Sequence, residues 1–343
     1  MREDCAYSYS IIVATYNRID EMKELVASLK AMNYPPDDFE LVVVDDGSTD
    51  GTGTYIKNMD VKFQIQYHYQ QNQGPGAARN RAMAEAQGCY FIFLDSDVIV
   101  PESYLSAIDK SVRAHQWEAF GGPDDSHPSF PPLLQAINYS MTSFIGTGGT
   151  RGRSESVTKF YPRSFNMGIH HKVYRAMGGM NDLRHGQDMD YSARIYRLGY
   201  KVGLIPEAVV YHKRRTSLKK FYKQIFNWGV ARINLGRVYS EMLKPIHLLP
   251  AFLIAVILCT VIISLLYPPF LWALFFMIFG ALGVAVFAAF DSYRQTQKVK
   301  VAFLSVVTLF LQVFAYGLGS WSGLWQWLRG KGRAEGYTKN YYK

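Results

Sequence analysis

Cysteine is scarce in this sequence, and the few cysteines are not spaced like metal ligands. Cys5, Cys89 and Cys259 stand far apart in the chain, whereas zinc sites usually take cysteines from pairs only a few residues apart. Cys259 also lies inside an apolar run. We therefore expect reduced, structural thiols in a protein that faces the cytosol.

Charge is missing from three long runs near the C-terminus, residues 246–267, 270–290 and 301–328. The first run contains His247, and the other two contain no Asp, Glu, Lys, Arg or His. The first two runs are each about 20 residues long, the length of a helix that crosses the hydrocarbon core of a bilayer. Buried helices of soluble proteins rarely extend so far without a charged face. We predict an integral membrane protein that crosses the bilayer several times.

Internal repeats and low-complexity segments are also lacking. Residues 1–4 are charged and no apolar core follows them, so we expect no cleaved secretory peptide. The chain has 37 Lys and Arg against 28 Asp and Glu, a net charge of +9, which indicates an anionic partner. Because membrane helices are predicted, we expect anionic lipid and a nucleotide-sugar-like ligand, and no nucleic acid.

The first half of the chain alternates apolar strand-like runs with helical patterns. The runs "SIIVAT", "FELVVV", "IQYHYQ" and "CYFIFL" predict strands, with helical spacing of apolar residues between them. Strands without polar alternation, separated by helices, predict an α/β fold with a mostly parallel sheet covered on both faces. The polar clusters "TYNR", "DDGSTD" and "DSD" follow strand ends, where such sheets bind ligands. We therefore expect them to form one site.

Asp95 and Asp97 end the fourth strand with only Ser96 between them. At positions i and i+2 of an extended chain, both carboxylates point to the same side. They repel each other unless a cation lies beside them, and a divalent ion bound to a nucleotide diphosphate meets that need. An isolated "DSD" equally suits a solvated turn or a helix cap. The surrounding sequence favours the metal.

Four segments in this order, "SIIVATYNR", "VVVDDGSTD", "NQGPGAARNRAMAEAQG" and "FLDSD", resemble the family 2 glycosyltransferases. The similarity extends over about residues 8–228. It implies a GT-A catalytic domain, which is Rossmann-like with a mostly parallel sheet, over residues 1–215. The rest of the chain then divides into an amphipathic interface region (216–244), transmembrane helices (245–330) and a basic tail (331–343).

The resemblance implies a Mg²⁺ or Mn²⁺ ion that holds the diphosphate of a nucleotide sugar, with UDP as the expected nucleotide. Asp97 is the expected direct ligand, and Asp95 is expected nearer to the ribose and base. Tyr16 is expected to stack on the base, and Asp46 to accept its hydrogen bonds. For Arg79, an exposed helix arginine is the alternative to a place beside the donor. The residues expected around the nucleotide and sugar are Ala14, Thr15, Tyr16, Asn17, Asp46, Arg79, Asp95, Ser96, Asn166 and Gly168.

A second group of motifs follows downstream. "SFNMGIHHKVYRAMGGMND" resembles the family's glycine loop and helix beside the donor sugar, around residues 166–168. In "RHGQDMD", Gln187 stands where the family usually has a glutamate, and Asp188 keeps the family's carboxylate. The resemblance makes Asp188 the base that deprotonates an acceptor hydroxyl in an inverting transfer. Asp190 is an alternative base, although it also suits an ordinary helix start.

His212, in "VVYHKRR", follows a short predicted strand. A histidine at this point completes the metal shell in GT-A enzymes, so the resemblance implies a third metal ligand besides Asp95 and Asp97. A structural histidine is the alternative. Arg214 and Arg215 then offer positive charge to a diphosphate or a lipid phosphate. A surface patch that faces anionic lipid is the alternative for these two arginines.

The segment 217–237 has apolar residues at helical spacing and lysines elsewhere. This pattern predicts an amphipathic helix in the membrane interface, with its apolar side in lipid. A helix packed in the protein core is the alternative. The apolar positions are Leu218, Phe221, Ile225 and Trp228.

Within that segment, "QIFNW" resembles the QxxRW motif of membrane polysaccharide synthases. Gln224 and Trp228 match, and Asn227 replaces the arginine. The motif implies contact with the acceptor and the diphosphate. The missing arginine and the small number of spans argue against a processive polymerase and favour a single addition.

We expect the enzyme in the inner or plasma membrane, with the catalytic domain in the cytosol. The loop 291–300 is then cytosolic and its basic residues follow the positive-inside rule. A third full crossing places the basic tail, 331–343, outside, against that rule. The third segment could instead break at its glycines and return, or end as an interfacial helix.

Together these features predict sugar transfer from a nucleotide sugar to a hydroxyl group of a lipid-linked acceptor, for a cell-surface glycan or glycolipid. The first alternative is transfer onto polyprenyl phosphate, which makes a lipid-phosphate sugar donor. A nucleotidyltransferase and a membrane-tethered binding protein without catalysis are further alternatives.

Overall fold

The computed structural model describes residues 5–148, 160–182 and 186–330. These residues form two compact units. The first contains the N-terminal part of the chain up to Asp125 and the described residues from 160 to Lys213. The second contains the remainder, including a segment that begins at Ser126. The predicted tail at 331–343 lies outside the described residues.

Strands and helices alternate through the first unit, and the second unit is helical. The strands are β1 (Tyr7–Thr15), β2 (Phe39–Asp45), β3 (Gln64–Tyr69), β4 (Gly88–Asp95), β5 (Val98–Ile99), β6 (Ala119–Gly121), β7 (Asp124–Asp125), β8 (Asn166–His170), β9 (Val202–Leu204) and β10 (Val210–His212). The α-helices are α1 (Ile19–Lys30), α2 (Thr52–Lys57), α3 (Pro75–Glu85), α4 (Tyr104–His115), α5 (Pro132–Thr142), α6 (Phe144–Thr147), α7 (His171–Met177), α8 (Gln187–Arg197), α9 (Leu218–Val238), α10 (Pro245–Leu266), α11 (Leu271–Thr296) and α12 (Val299–Leu328).

The main sheet of the first unit has the strand order β3-β2-β1-β4-β8-β6-β9 among the described residues. The strands from β3 to β4 run parallel, and β8 is antiparallel to both of its neighbours. In β1, Ile11 and Val13 enter one hydrophobic core and Ile12 enters the other. Both faces of the strand are therefore buried, which explains why its sequence shows no polar alternation. The predicted α/β fold with a mostly parallel sheet is confirmed.

A small second sheet has the order β5-β10-β7. His212 of β10 lies opposite Val98 of β5, and Val210 lies opposite Asp124 of β7. β5 follows the "DSD" turn directly. The sheet therefore connects three distant parts of the chain beside the end of β4.

The helices of the second unit pack around α12, which contacts α5, α9, α10 and α11. Three helices of the described chain, at Pro245–Leu266, Pro268–Thr296 and Val299–Leu328, are long and apolar enough to cross a membrane. This indicates membrane association. The sequence prediction assigned residues up to 215 to the catalytic domain, but α5 and α6 pack within the helical unit.

One alternative that the sequence left open and one sequence prediction about these helices differ from the structure. α12 is continuous from end to end, so the third apolar segment does not break at its glycines; Gly319 instead lets the Phe226 carbonyl of α9 approach closely. Phe221 and Ile225 of α9 are buried in a protein cluster with Ile137 of α5 and not exposed for lipid. A hydrophobic stripe shows that a face is buried, but it does not distinguish a lipid neighbour from a protein neighbour.

The prediction of three reduced thiols is wrong for two of them. Cys5 and Cys89 form a disulfide across 84 residues of sequence, and Cys259 is a free, exposed thiol. Pairing of Tyr7 in β1 with Gly88 in β4 brings the two cysteines together. Their separation in the sequence hides this proximity, which depends on strand pairing.

Candidate metal and active site

The three predicted polar clusters lie at one edge of the main sheet. β1, β2 and β4 are parallel neighbours, and Ala14 and Thr15 pair in register with Asp95 and Asp45. The carboxyl ends of these strands therefore meet, as expected for a ligand site in a parallel sheet.

Asp95, Asp97 and His212 form a compact cluster of potential metal ligands at this edge. One ligand atom from each lies within 4.8 Å of the others, and the His212 Nε2 atom is 3.1 Å from Asp97 Oδ1. Ser96 and Asp97 form the turn between β4 and β5. Two carboxylates and an imidazole suit a divalent ion such as Mn²⁺, and the carboxylates also suit Mg²⁺. The donor set therefore fits the implied metal.

Arg79 on α3 is buried, with 8% of its surface exposed. Its guanidinium Nη2 donates to Asp95 Oδ1 at 2.6 Å. This arrangement excludes the alternative of a solvated arginine on a helix face. The structure thus gives Asp95 a cationic partner and leaves Asp97 facing His212.

The loop after β1 is held by the loop after β2. Asn17 adopts a φ of 50°, a left-handed conformation that asparagine tolerates. Its amide N–H donates to Ser48 Oγ, and its side-chain oxygen accepts from the Thr49 N–H, both at 2.8 Å. Asn17 therefore fixes the two loops to each other, while Ala14, Thr15 and Tyr16 sit at the strand end before it. Contact of these four residues with the nucleotide sugar stays a prediction.

Asp46 is 1% exposed, and its carboxylate accepts hydrogen bonds from one side chain and two backbone N–H groups. Oδ1 accepts from the Gln70 side chain at 2.7 Å and the Gln73 N–H at 2.9 Å, and Oδ2 accepts from the Gly74 N–H at 2.8 Å. These bonds hold the loop that leads into α3, where Pro75 occupies the first turn. A structural role accounts for Asp46, and its contact with a nucleobase stays a prediction.

Asp45, the neighbour of Asp46, also accepts hydrogen bonds from within the protein. It accepts from the Ser48 N–H at 2.7 Å and from the Tyr67 hydroxyl at 2.9 Å. Burial, together with the hydrogen bond to Asp45, raises the pKa of Tyr67. The Tyr67 hydroxyl therefore stays protonated and remains a donor at neutral pH.

Asn166 and Gly168 lie in strand β8, so the expectation of a glycine loop here is wrong. The Asn166 side chain accepts from the Tyr104 hydroxyl at 2.6 Å and donates to the Ala208 carbonyl at 2.7 Å. A Cβ at Gly168 would overlap the ring of Phe120 on β6. Internal hydrogen bonds explain why asparagine occupies position 166, and packing explains why glycine occupies position 168. Contact of either residue with the nucleotide sugar stays a prediction.

Asp188 lies in the first turn of α8 with about a fifth of its side chain exposed (21%), 4.0 Å from the Arg163 guanidinium. By contrast, Asp190 is 4% exposed and accepts from Asn181 at 2.9 Å and from Arg194 at 3.1 Å. Asp190 is thus engaged in structural contacts, which favours Asp188 of the two candidate bases.

Gln187 links the start of α8 to the start of α3. A Cβ at Gly76 would overlap the Gln187 amide, so the end of that side chain packs directly against the α3 backbone. Gln187 also donates to the Asn181 carbonyl at 3.2 Å. The helices α3 and α8, which carry Arg79 and Asp188, therefore lie side by side and share one hydrophobic core.

Asp124 lies beside the cluster, although no local sequence pattern indicates it. Its Oδ2 lies 3.7 Å from His212 Nδ1, on the other side of the ring from Asp97. "GGPDD" has no strand-like apolar run, and β7 is only two residues long. The proximity depends on β7 pairing with β10, which local sequence patterns do not reveal.

The four predicted acceptor residues belong to the helical unit. Arg214 is 6% exposed and donates to Asn138 Oδ1 at 3.0 Å. Arg215 and Gln224 are half-buried, and Trp228 packs against the cluster that contains Phe221. The buried position of Arg214 differs from the surface-patch alternative, and acceptor contacts of the four stay predictions.

Two family models match the chain. The model described as glycosyl transferase family 2 matches residues 10–120, and the one described as glycosyl transferase family group 2 matches residues 90–289.

Among curated relatives, an uncharacterized glycosyltransferase of Rickettsia bellii is 38% identical over 155 residues, 40% of this chain and 22% of that protein. Glycosyltransferase AglE of Haloferax volcanii is 24% identical over 265 residues, 70% of this chain and 83% of AglE. Succinoglycan biosynthesis protein ExoA of Rhizobium meliloti is 22% identical over 226 residues, 65% of this chain and 68% of ExoA. The match thus spans under a quarter of the Rickettsia protein and most of AglE.

Solved structures share the fold. The mannosyltransferase PcManGT from Pyrobaculum calidifontis, in complex with GDP-Man and Mn²⁺, superposes with a TM-score of 0.63 at 16% identity, over 93% of this chain and 87% of that one. S. aureus TarS 1–349 gives a TM-score of 0.50 at 18% identity, over 97% of this chain and 99% of that one. These similarities confirm the GT-A-like architecture.

Proposed function

The chain belongs to glycosyl transferase family group 2. From this premise we propose that it is a membrane-bound, metal-dependent, inverting enzyme that adds one sugar to a lipid-linked acceptor. The donor is a nucleotide sugar, with a UDP-sugar as the first candidate. The acceptor group is a hydroxyl at the cytosolic face of the inner or plasma membrane. The product is a cell-surface glycan or glycolipid.

The observation that carries this proposal is the cluster of Asp95, Asp97 and His212 at the carboxyl edge of the parallel sheet. A divalent ion bound at this cluster would bind the donor diphosphate and stabilise the charge that develops on it as it leaves. PcManGT, which shares the fold, was solved with Mn²⁺ and GDP-Man. A hard cation between carboxylates also relieves their mutual repulsion.

The two aspartates have different partners, which supports different roles. Asp95 is paired with the buried Arg79, so part of its charge is already neutralised within the protein. Asp97 has His212 as its neighbour. We therefore assign the direct metal contact to Asp97 and His212. Asp95 and Arg79 are assigned to the nucleotide side of the cluster.

Asp188 is proposed as the catalytic base. Its carboxylate would take the proton of the acceptor hydroxyl while that oxygen attacks the anomeric carbon, and the nucleoside diphosphate leaves from the opposite face. One carboxylate is enough for this reaction, whereas hydrolysis of a glycosidic bond uses two. The partial exposure of Asp188 leaves it accessible to an acceptor.

The membrane helices support a lipid-linked acceptor. Three helices of the described residues are long and apolar enough to cross a membrane, and a soluble sugar acceptor would not require them. Arg214, Arg215, Gln224 and Trp228 are proposed to contact the acceptor or the diphosphate. The similar ExoA carries a name from succinoglycan biosynthesis, which fits a glycan product.

The decisive experiment uses the purified full chain with native lipid extract, a panel of UDP- and GDP-sugars, and Mn²⁺ or Mg²⁺. Release of nucleoside diphosphate identifies the donor, and release of pyrophosphate would instead indicate a nucleotidyltransferase. Asp188→Asn is the test variant, and exposed Asp182→Asn is its matched control. We expect Asp188→Asn to lower kcat by about 10²- to 10⁴-fold, with the control unchanged.

A polyprenyl-phosphate acceptor predicts a different result. The attacking phosphate oxygen is already ionised, so a base is dispensable. Full activity of Asp188→Asn would therefore overturn the hydroxyl-acceptor proposal and support transfer onto a lipid phosphate. Absence of turnover with every donor would support a binding protein.

A further inference from the structure

We propose that Asp124 is a positioning residue for His212, whose imidazole it orients so that Nε2 is presented to the metal site. This inference rests on the proposed metal dependence. Asp124 lies outside the three-ligand cluster, and no family motif used above includes it.

The imidazole of His212 lies between two carboxylates. Nε2 is 3.1 Å from Asp97 Oδ1, and Nδ1 is 3.7 Å from Asp124 Oδ2. The side chains of His212, Asp97 and Asp124 are only 16%, 12% and 6% exposed. Solvent therefore screens these interactions weakly, and the negative charge of Asp124 acts on the ring at close range.

The position of the imidazole proton explains why a carboxylate is useful at Nδ1. A neutral imidazole carries one N–H, and the nitrogen that binds a metal must be the one without a proton. If Nε2 is the ligand, the proton lies on Nδ1 and needs an acceptor there. Asp124 supplies a carboxylate on that side. Acceptors of this kind commonly fix the ring orientation and tautomer of metal-binding histidines.

The fold holds Asp124 in this place through backbone contacts. The Val210 N–H donates to the Pro123 carbonyl at 3.1 Å, which pairs β7 with β10. The Asn166 side chain donates to the Pro123 carbonyl at 3.3 Å and to the Ala208 carbonyl at 2.7 Å. The segments that carry Asp124 and His212 are therefore fixed to one another at the N-terminal end of the pairing.

Phe165 restricts the ring further. Its ring centroid is 5.3 Å from that of His212, at an interplanar angle of 40°. An apolar neighbour limits sideways movement of the imidazole but does not choose which nitrogen carries the proton. That choice depends on the two carboxylates, which is why we assign it to Asp124.

The test measures Mn²⁺ affinity of the purified full chain by calorimetry and by the EPR signal of free Mn²⁺. The variants are Asp124→Ala and the isosteric Asp124→Asn. Asp125→Asn is the matched control, because the next residue of a strand points to the opposite face. We expect Asp124→Ala to raise the Kd for Mn²⁺ by about 10- to 100-fold. Asp124→Asn should have a smaller effect, because its amide oxygen can still face Nδ1 but without the charge.

A second readout separates positioning from a general structural role. Activity of Asp124→Asn should recover at saturating Mn²⁺, and its melting temperature should match that of the control. If both variants bind Mn²⁺ with wild-type affinity, the inference is overturned. If Asp124→Ala does not fold, wild-type Mn²⁺ affinity of Asp124→Asn alone overturns it. Failure of the wild-type chain to bind Mn²⁺ would instead overturn the metal dependence in the proposed function.

Discussion

The variant Asn166→Ala tests whether Asn166 stabilises the fold or contacts the nucleotide sugar. Asn166 is 2% exposed and lies at the start of β8. Its side chain accepts from the Tyr104 hydroxyl and donates to the Pro123 and Ala208 carbonyls. Burial raises the pKa of Tyr104, so the phenol remains a donor and fixes the orientation of the amide. The structure therefore predicts a loss of stability in Asn166→Ala.

The magnitude follows from the three hydrogen bonds that are lost. A typical hydrogen bond contributes about 1 kcal/mol net, so three give about 3 kcal/mol of unfolding free energy. The buried Tyr104 hydroxyl, left without its acceptor, increases this loss. For a domain of this size, 1 kcal/mol corresponds to about 2–4 °C, so the melting temperature should fall by about 6–12 °C.

The assay is thermal unfolding of the purified chain, with exposed Asn33→Ala as the control. A double-mutant cycle with Tyr104→Phe strengthens it. In the wild-type background Tyr104→Phe should destabilise, because Asn166 Oδ1 loses its donor. In the Asn166→Ala background it should be neutral or stabilising, because it removes a hydroxyl without an acceptor. An unchanged melting temperature of Asn166→Ala with lost activity would refute this reasoning and indicate direct contact with the donor.

Two further predictions concern packing and the disulfide. Gly168→Ala should lower the free energy of unfolding by about 1–3 kcal/mol, because the new methyl group overlaps Phe120. In thermal melts, the additional change Phe120→Leu should restore part of the lost stability. An unchanged melting temperature of Gly168→Ala would contradict the packing argument. Reduction of the disulfide between Cys5 and Cys89, or Cys89→Ser, should cost about 2–5 kcal/mol. Dithiothreitol should then lower the melting temperature of the wild type and of Cys259→Ser but not of Cys89→Ser, and equal sensitivity of all three would argue against this bond.

Much of the catalytic unit was predictable because its signals are local. Buried parallel strands consist of continuous apolar residues, so each strand can be recognised without its partners. Asp95 and Asp97 stand two residues apart at the end of such a strand. Their convergence with His212 was expected from the family resemblance and is seen in the structure. The membrane helices were equally apparent, since apolar length is itself the signal.

Predictions were wrong where the neighbour of a residue decides its role. The apolar stripe of α9 looked suited to lipid, but Phe221 and Ile225 are covered by other helices of the protein. The sequence left open whether the third apolar segment breaks at its glycines; α12 continues through them, and Gly319 allows close packing against α9. An apolar stripe or a glycine in a helix indicates that something packs closely against it. Which partner packs there is decided by the tertiary structure.

The sequence by itself determined the α/β alternation, the three long apolar helices and the carboxylates at the end of β4, because each depends on residues that are near neighbours in the chain. Only the tertiary structure decided that Asp124 lies beside His212, that Cys5 meets Cys89 across 84 residues, and that Asn166 bonds Ala208 across 42. The first two contacts arise from strand pairing, and the third arises where the packed sheet brings the start of β8 beside the segment before β10. The register of that pairing is set by the whole core and by no single motif.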